Sequence, residues 1–198
     1  MPDCVRPRLC SSCPRHVRLS SGRWKAYDAT PVWGSMMASL RISDTISDGL
    51  STDARKRLCS LEAWDLSAVS RRTQARMRWP YSRRKAVERE YRRFLALIVL
   101  DPTQSYGMAG DVDELWHDHI LDTQDYIGLC QRVVGALVHH IPANPKKRNN
   151  TAASYETVTL PALRKTYRGR LSPVWPRRGQ PHAVARCCNH ISEMPTSW

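Results

Sequence analysis

Between residues 51 and 142 the apolar positions recur at intervals of three and four, which predicts a series of amphipathic helices. The clearest is a helix over residues 82–99, which Ser82 can cap and which Asp101-Pro102 stops. Its apolar stripe consists of Val87, Tyr91, Phe94, Leu95 and Ile98. Arginines cover most of the remaining surface, as is typical of a helix with one face in water.

The next predicted helix begins with Asp111 as its N-cap. Its apolar face consists of Val112, Leu115, Trp116, His119 and Ile120. His117 lies on a different face, together with Asp113 four residues before it. Because residues four apart are neighbours on a helix surface, Asp113 and His117 can share an ion or a hydrogen bond. A regular helix cannot direct both His117 and His119 at one ion.

Asp122 is predicted to cap a third helix, which continues to His139 and His140 and ends at Pro142. Its inner face consists of Tyr126, Cys130, Val133, Val134 and Leu137. If this helix and the preceding one form an antiparallel hairpin, the two histidines return to the beginning of the preceding helix, beside Asp113. A last helix is expected over residues 154–168, and no alternating strand pattern of useful length is visible.

These elements predict a mainly α fold, a small antiparallel bundle of four to five short helices within a domain of residues 51–176. Residues 1–50 combine prolines with Arg, Ser and Gly and show no sustained periodicity. We interpret them as a disordered segment, or as an extension upstream of a natural start at Met36-Met37. Residues 177–198 form a tail rich in Pro, Arg and Cys, which is expected to be extended.

Charge is distributed unevenly along the chain. The net charge is +13, yet residues 101–141 contain seven acids and one basic residue, a local charge of −6. The basic remainder favours nucleic acid or an acidic protein as a partner, bound through the Arg-rich helices. The longest apolar run, residues 94–100, is too short for a membrane helix, and no secretory signal is visible. The prediction is a cytoplasmic protein with reduced thiols and no membrane association.

Carboxylates concentrated beside imidazoles provide what a divalent cation needs. The candidate metal ligands are Asp113, His117 and one or both of His139 and His140. Two or three such ligands with an open position suit Zn²⁺, Fe²⁺ or Mn²⁺, so the hypothesis is one divalent ion. In the alternative interpretation the same residues form a buried polar network, with His139 and His140 as helix C-cap residues.

Five further residues are predicted to form a structural polar and aromatic site around these ligands: Trp116, His119, Asp122, Tyr126 and Cys130. The sequence contains no nucleophile elbow, phosphate loop or His-Glu-x-x-His motif, so it assigns no reaction class. A metal-binding helical domain and a non-catalytic interaction module therefore both stay open.

One motif also carries a family resemblance. The pattern Val-Asp-x-x-Trp-His-x-His-x-Leu-Asp-Thr-x-x-Tyr covers residues 112–126, and a Glu-Tyr-x-Arg-Phe-Leu pattern covers residues 90–95. With Cys130, Gly135, His139-His140 and Pro142, these residues resemble the glycine-rich domain-containing protein-like family of bacteria and plants, over about residues 60–190. The resemblance implies a helical fold and brings no activity with it. Pro161 departs from the family pattern, because it falls inside the expected closing helix.

Overall fold

The computed structural model describes residues 15–18, 24–27, 46, 49–142, 154–168, 171–177 and 187–193, and the chain divides into two compact units, residues 1–39 and 40–198. In the first unit, strands β1 (Arg15–Arg18) and β2 (Trp24–Tyr27) pair antiparallel. The sequence pattern of residues 1–50 predicts no strand there. Most of the prediction for residues 1–50 lies outside the described residues.

The second unit is mainly α-helical, which confirms the predicted fold class. Its helices are α1 (Thr52–Ala63), α2 (Ser67–Met77), α3 (Tyr81–Leu100), α4 (Asp111–Leu121), α5 (Thr123–Leu129) and α6 (Leu160–Tyr167). Helix α1 begins where the Ser51 hydroxyl accepts a hydrogen bond from the backbone N–H of Ala54 at 3.1 Å. Among the helices of the described ranges, none combines the length and the apolar composition needed to cross a membrane.

Helix α3 supplies a long face of the hydrophobic core, as its sequence pattern predicts. The five residues of the predicted stripe are fully buried: Val87, Tyr91, Phe94, Leu95 and Ile98. The helix begins at Tyr81, and its N-cap is Pro80, two residues before the predicted cap Ser82. Proline is suited to a helix start, because the N–H that it lacks would have no partner within the helix.

Helices α4 and α5 are separated by a break at Asp122, as predicted, but neither predicted cap acts through its side chain. The residue before α4 is Gly110, whose φ of +69° favours glycine. A Cβ atom there would lie 2.8 Å from Cδ of Pro176, which also requires glycine. The Asp122 carboxylate accepts instead from Arg72 Nη1 at 3.4 Å.

The third predicted helix ends earlier than expected, and this prediction was wrong for residues 137–142. Helix α5 continues through a π-helical turn, Cys130–Val134, and ends where Gly135 adopts a φ of +79°. The chain then forms strand β4 (Leu137–Pro142). A short apolar run fits a helix or a strand equally well, and here strand pairing with a distant segment decides between them.

That distant segment is strand β5 (Cys187–Ser192) in the predicted tail. It pairs antiparallel with β4, with His140 opposite Asn189, and with the short strand β3 (Gly107–Met108), so the sheet order is β3-β5-β4. The predicted closing helix is present as a π-helical turn, Tyr155–Thr159, followed by α6. The wider turn lies just before Pro161, whose ring would crowd the preceding turn of a regular helix.

Candidate metal centre

The centre begins with Asp113 and His117, which lie one turn apart on α4. His117 Nδ1 is 3.5 Å from Asp113 Oδ1 and 2.7 Å from the Asp113 backbone oxygen. Because a carbonyl oxygen only accepts, Nδ1 carries the proton, and the lone pair of the ring is on Nε2. A histidine whose other nitrogen is fixed by a carbonyl in this way is oriented as metal-binding histidines usually are.

His140 reaches the same carboxylate from strand β4. Its Nε2 atom lies 3.6 Å from Asp113 Oδ1, and the rings of His140 and His117 meet edge to face with centroids 4.3 Å apart. The Trp116 ring also contacts His140, at 4.9 Å between centroids. Within the described part of the chain, Nε2 of His140 is shielded from solvent and has no hydrogen-bond partner.

The structure thus brings together three of the four candidate ligands. Ligand atoms of Asp113, His117 and His140 all lie within 4.8 Å of one another, so these three residues form a candidate site for one metal ion. His139 faces the other way, because neighbouring residues of a strand point to opposite sides of the sheet. Its Nε2 atom is 2.6 Å from the Ser192 hydroxyl, and its ring stacks on His190. The geometry comes from a helix and a strand, not from the predicted helical hairpin.

Cys187 also contacts Asp113, although it is not among the candidate ligands that the sequence predicts. Its Sγ atom lies 2.9 Å from Asp113 Oδ1, and the residue is fully buried. Burial raises the pKa of the Cys187 thiol well above its ordinary value, so the sulfur keeps its proton and donates a hydrogen bond to the carboxylate. No local sequence pattern in residues 187–192 indicated this contact, because it depends on the pairing of β5 with β3 and β4.

Most of the other acids in residues 101–141 are neutralised by arginines. Asp111 pairs with Arg83, Glu114 and Asp118 with Arg76, and Asp122 with Arg72. Asp113 is different, because it is 1 % exposed and forms no ion pair with Arg or Lys among the described residues. A buried carboxylate without a cation is costly, which sets Asp113 apart from its neighbours.

A buried group beside His140 consists of Trp116, whose ring contacts His140, together with Tyr126 and Cys130. Trp116 Nε1 donates to the Tyr126 hydroxyl at 3.0 Å, and that hydroxyl donates to the Val138 carbonyl oxygen at 2.6 Å. Cys130 is fully buried, and burial raises the pKa of its thiol and that of the Tyr126 phenol. These groups therefore stay neutral and connect α4 and α5 to strand β4.

His119 lies in a second polar network, away from Asp113. The Asp125 carboxylate is 2.9 Å from Nε2 of His119, and the Tyr91 hydroxyl is 2.9 Å from Nδ1. A carboxylate accepts, so Nε2–H donates to Asp125 and Nδ1 accepts from Tyr91. Both nitrogens are used, and His119 is fully buried, so this residue is placed as a core histidine.

Acid is expected to destabilise the metal-free protein through His119. Burial lowers the pKa of His119 from its ordinary 6.5, against the opposing effect of Asp125. The folded state then binds this proton less readily than the unfolded state does. The contribution of His119 to stability is therefore complete above pH 6.5 and is lost as the pH falls through the lowered pKa.

Urea unfolding with a chelator present, between about pH 8 and about pH 5, measures this effect. We expect the wild-type free energy of unfolding to fall with pH. A His119→Asn variant should begin lower at the upper pH and fall less steeply. Parallel curves for the two proteins would contradict the assignment.

Residues 54–161 match the model of the UCP032817-like family, which is more than half of the chain. This range contains Asp113, His117 and His140, whereas Cys187 lies outside it. The resemblance to the glycine-rich domain-containing protein-like family was wrong, because the same motif falls within the range matched by the UCP032817-like model. Comparison with curated proteins and with solved structures finds no match.

Proposed function

Because the chain belongs to the UCP032817-like family, to which no activity is assigned, we propose its function from the geometry of the site. Asp113, His117 and His140 bind one divalent transition-metal ion. The observation that carries this proposal is the buried Asp113 carboxylate, which lacks an Arg or Lys partner in the described residues and faces the unpartnered Nε2 atom of His140. A cation bound between them satisfies both groups at once.

The spacing of the two groups supports this proposal. Two atoms that bind one tetrahedral ion at about 2.0–2.1 Å lie roughly 3.3–3.5 Å apart. Asp113 Oδ1 and His140 Nε2 are 3.6 Å apart, close to that range. His117 adds a second imidazole, whose orientation is fixed by its bond to the Asp113 carbonyl oxygen.

The donor set indicates which ions fit. Two imidazoles and one carboxylate suit Zn²⁺, Fe²⁺ or Mn²⁺ better than Mg²⁺ or Ca²⁺, which prefer oxygen ligands alone. Three protein ligands leave at least one coordination position for water or substrate. The side chain of His117 is 44 % exposed, so we place this open position on its solvent-facing side. An ion there would make bound water more acidic or polarise a substrate oxygen.

The predicted interaction with nucleic acid has weaker support. Several arginines of α2 and α3 are engaged within the protein, with Arg72, Arg76 and Arg83 in ion pairs with acids of residues 111–122. Arg92 donates to the backbone oxygens of Leu61 and Trp64 at 2.6 and 2.7 Å. These contacts compete with phosphate for the same guanidinium groups, so nucleic-acid binding stays a prediction. The cytoplasmic location also stays a prediction.

Elemental analysis of protein purified without a His-tag tests the metal proposal. We expect about one equivalent of Zn, Fe or Mn in the wild type, and none in His117→Ala or His140→Ala, because each variant leaves only two ligands. His139→Ala is the matched control. It removes the adjacent imidazole on the opposite side of the sheet and should keep the full equivalent.

Each possible outcome tests a different part of the proposal. Metal retained by both ligand variants would place the ion elsewhere, and metal lost from His139→Ala would show that His139 takes part in binding it. Equilibrium dialysis of the chelated wild type against Zn²⁺ gives a second, independent stoichiometry. A wild type that takes up no metal by either measurement would refute the proposal.

A further inference from the structure

We propose that Cys187 is a positioning residue of this centre, whose thiol hydrogen bond holds Asp113 in place to receive the ion. This inference rests on the proposed metal binding by Asp113, His117 and His140. The sulfur lies 2.9 Å from Asp113 Oδ1, which is the same oxygen that is nearest to both imidazoles. The thiol therefore acts on the ligand oxygen itself.

The position of the sulfur is fixed by strand β5. In the sheet, Cys187 lies opposite Met108 of β3 and Pro142 of β4, and its side chain is fully buried. Two residues further on, the buried Asn189 side chain accepts from the backbone N–H of Tyr106 at 2.6 Å. Pairing on both edges and this side-chain bond together determine where the thiol is directed.

The same geometry favours hydrogen bonding over direct coordination. A thiol that donates to a carboxylate keeps its proton, whereas a metal-bound sulfur is a thiolate and has no proton to donate. The two roles are therefore mutually exclusive. The group of ligand atoms within 4.8 Å of one another consists of Asp113, His117 and His140, and Cys187 is not part of it.

The Asp113 carboxylate needs a partner that fixes its orientation before the ion binds. It is 1 % exposed, so solvent cannot orient it, and no Arg or Lys of the described residues pairs with it. Outer partners of metal ligands typically change metal affinity by about 10–100-fold when they are removed. Cys187 is such a partner, supplied by a strand beyond the family-matched residues 54–161.

Zinc affinity, measured by competition with a chromophoric chelator, tests this role in the full-length chain. We expect Cys187→Ala to raise the Kd for Zn²⁺ by about 10–100-fold. Cys187→Ser should stay close to the wild type, because its hydroxyl also donates a hydrogen bond. The control is Cys188→Ala, which changes the neighbouring side chain on the opposite side of the sheet and should leave the Kd unchanged.

Urea unfolding of the metal-free variants measures how much each substitution changes stability, and so separates a packing effect from an effect on the metal site. Equal Zn²⁺ affinity for Cys187→Ala and wild type would overturn the inference. Equal weakening of Zn²⁺ binding in Cys187→Ser and Cys187→Ala would also overturn it. Co²⁺ gives a further readout: a thiolate-to-cobalt charge-transfer band that is lost in Cys187→Ser would show direct coordination and overturn the positioning role. A wild type that binds neither Zn²⁺ nor Co²⁺ would refute the proposed metal site itself, a result distinct from these.

Discussion

Asp113→Asn is expected to abolish metal binding while leaving the metal-free protein at least as stable as the wild type. The substitution keeps the shape of the side chain but removes the negative charge that attracts the cation. It also removes a buried carboxylate that has no Arg or Lys partner in the described residues. Zinc titration by calorimetry and urea unfolding with a chelator present measure the two effects, which should have opposite signs.

Asp118→Asn is the matched control on the same helix. Asp118 is also buried, but it is paired with Arg76 at 3.1 Å, so its loss should reduce stability and leave zinc binding intact. The contrast between the two aspartates distinguishes a carboxylate that binds a metal ion from one that stabilises the fold through an ion pair. A large loss of metal-free stability in Asp113→Asn would contradict the assignment, as would zinc binding that survives the substitution.

Trp116→Ala is expected to lower the free energy of unfolding by about 3–5 kcal/mol, the largest stability effect that we predict. Trp116 is fully buried, its ring lies 5.6 Å from that of Phe94, and its N–H donates to the Tyr126 hydroxyl. Replacement by alanine opens a cavity and leaves that hydroxyl without its donor. Chemical denaturation of the metal-free protein measures the loss.

Leu121→Ala provides the comparison for Trp116, since it removes an apolar side chain from the same helix. Leu121 is 78 % exposed, so its replacement should change stability by less than about 0.5 kcal/mol. A Trp116→Ala loss of similar size would contradict the packing described here. Because Trp116 also lies against His140, its replacement should weaken metal binding as well.

Local sequence patterns were enough to predict the parts of the fold that depend on neighbouring residues. The stripe of α3 is an example, because helical spacing of Val87, Tyr91 and Phe94 determines which side is buried. The proximity of Asp113 and His117 is another, since four residues make one turn. For both, the information lies within a few residues of the chain.

The same patterns could not locate His140 correctly or reveal the role of Cys187. His140 reaches the site because residues 137–142 pair with residues 187–192, and the choice between helix and strand is made by that distant partner. A shift of one residue in the register would have brought His139 inward instead. Cys187 depends on the same pairing, so its contact with Asp113 leaves no local signature.

The sheet order also has a consequence for biosynthesis. Strand β5 is translated after β3 and β4 but lies between them, so both earlier strands emerge from the ribosome with unpaired edges. At about 5–20 residues per second, the interval before their shared partner is synthesised is roughly 2–16 s. Until residues 187–192 emerge, the nascent chain exposes backbone groups that chaperones or neighbouring nascent chains can bind, and Asp113 lacks its thiol donor.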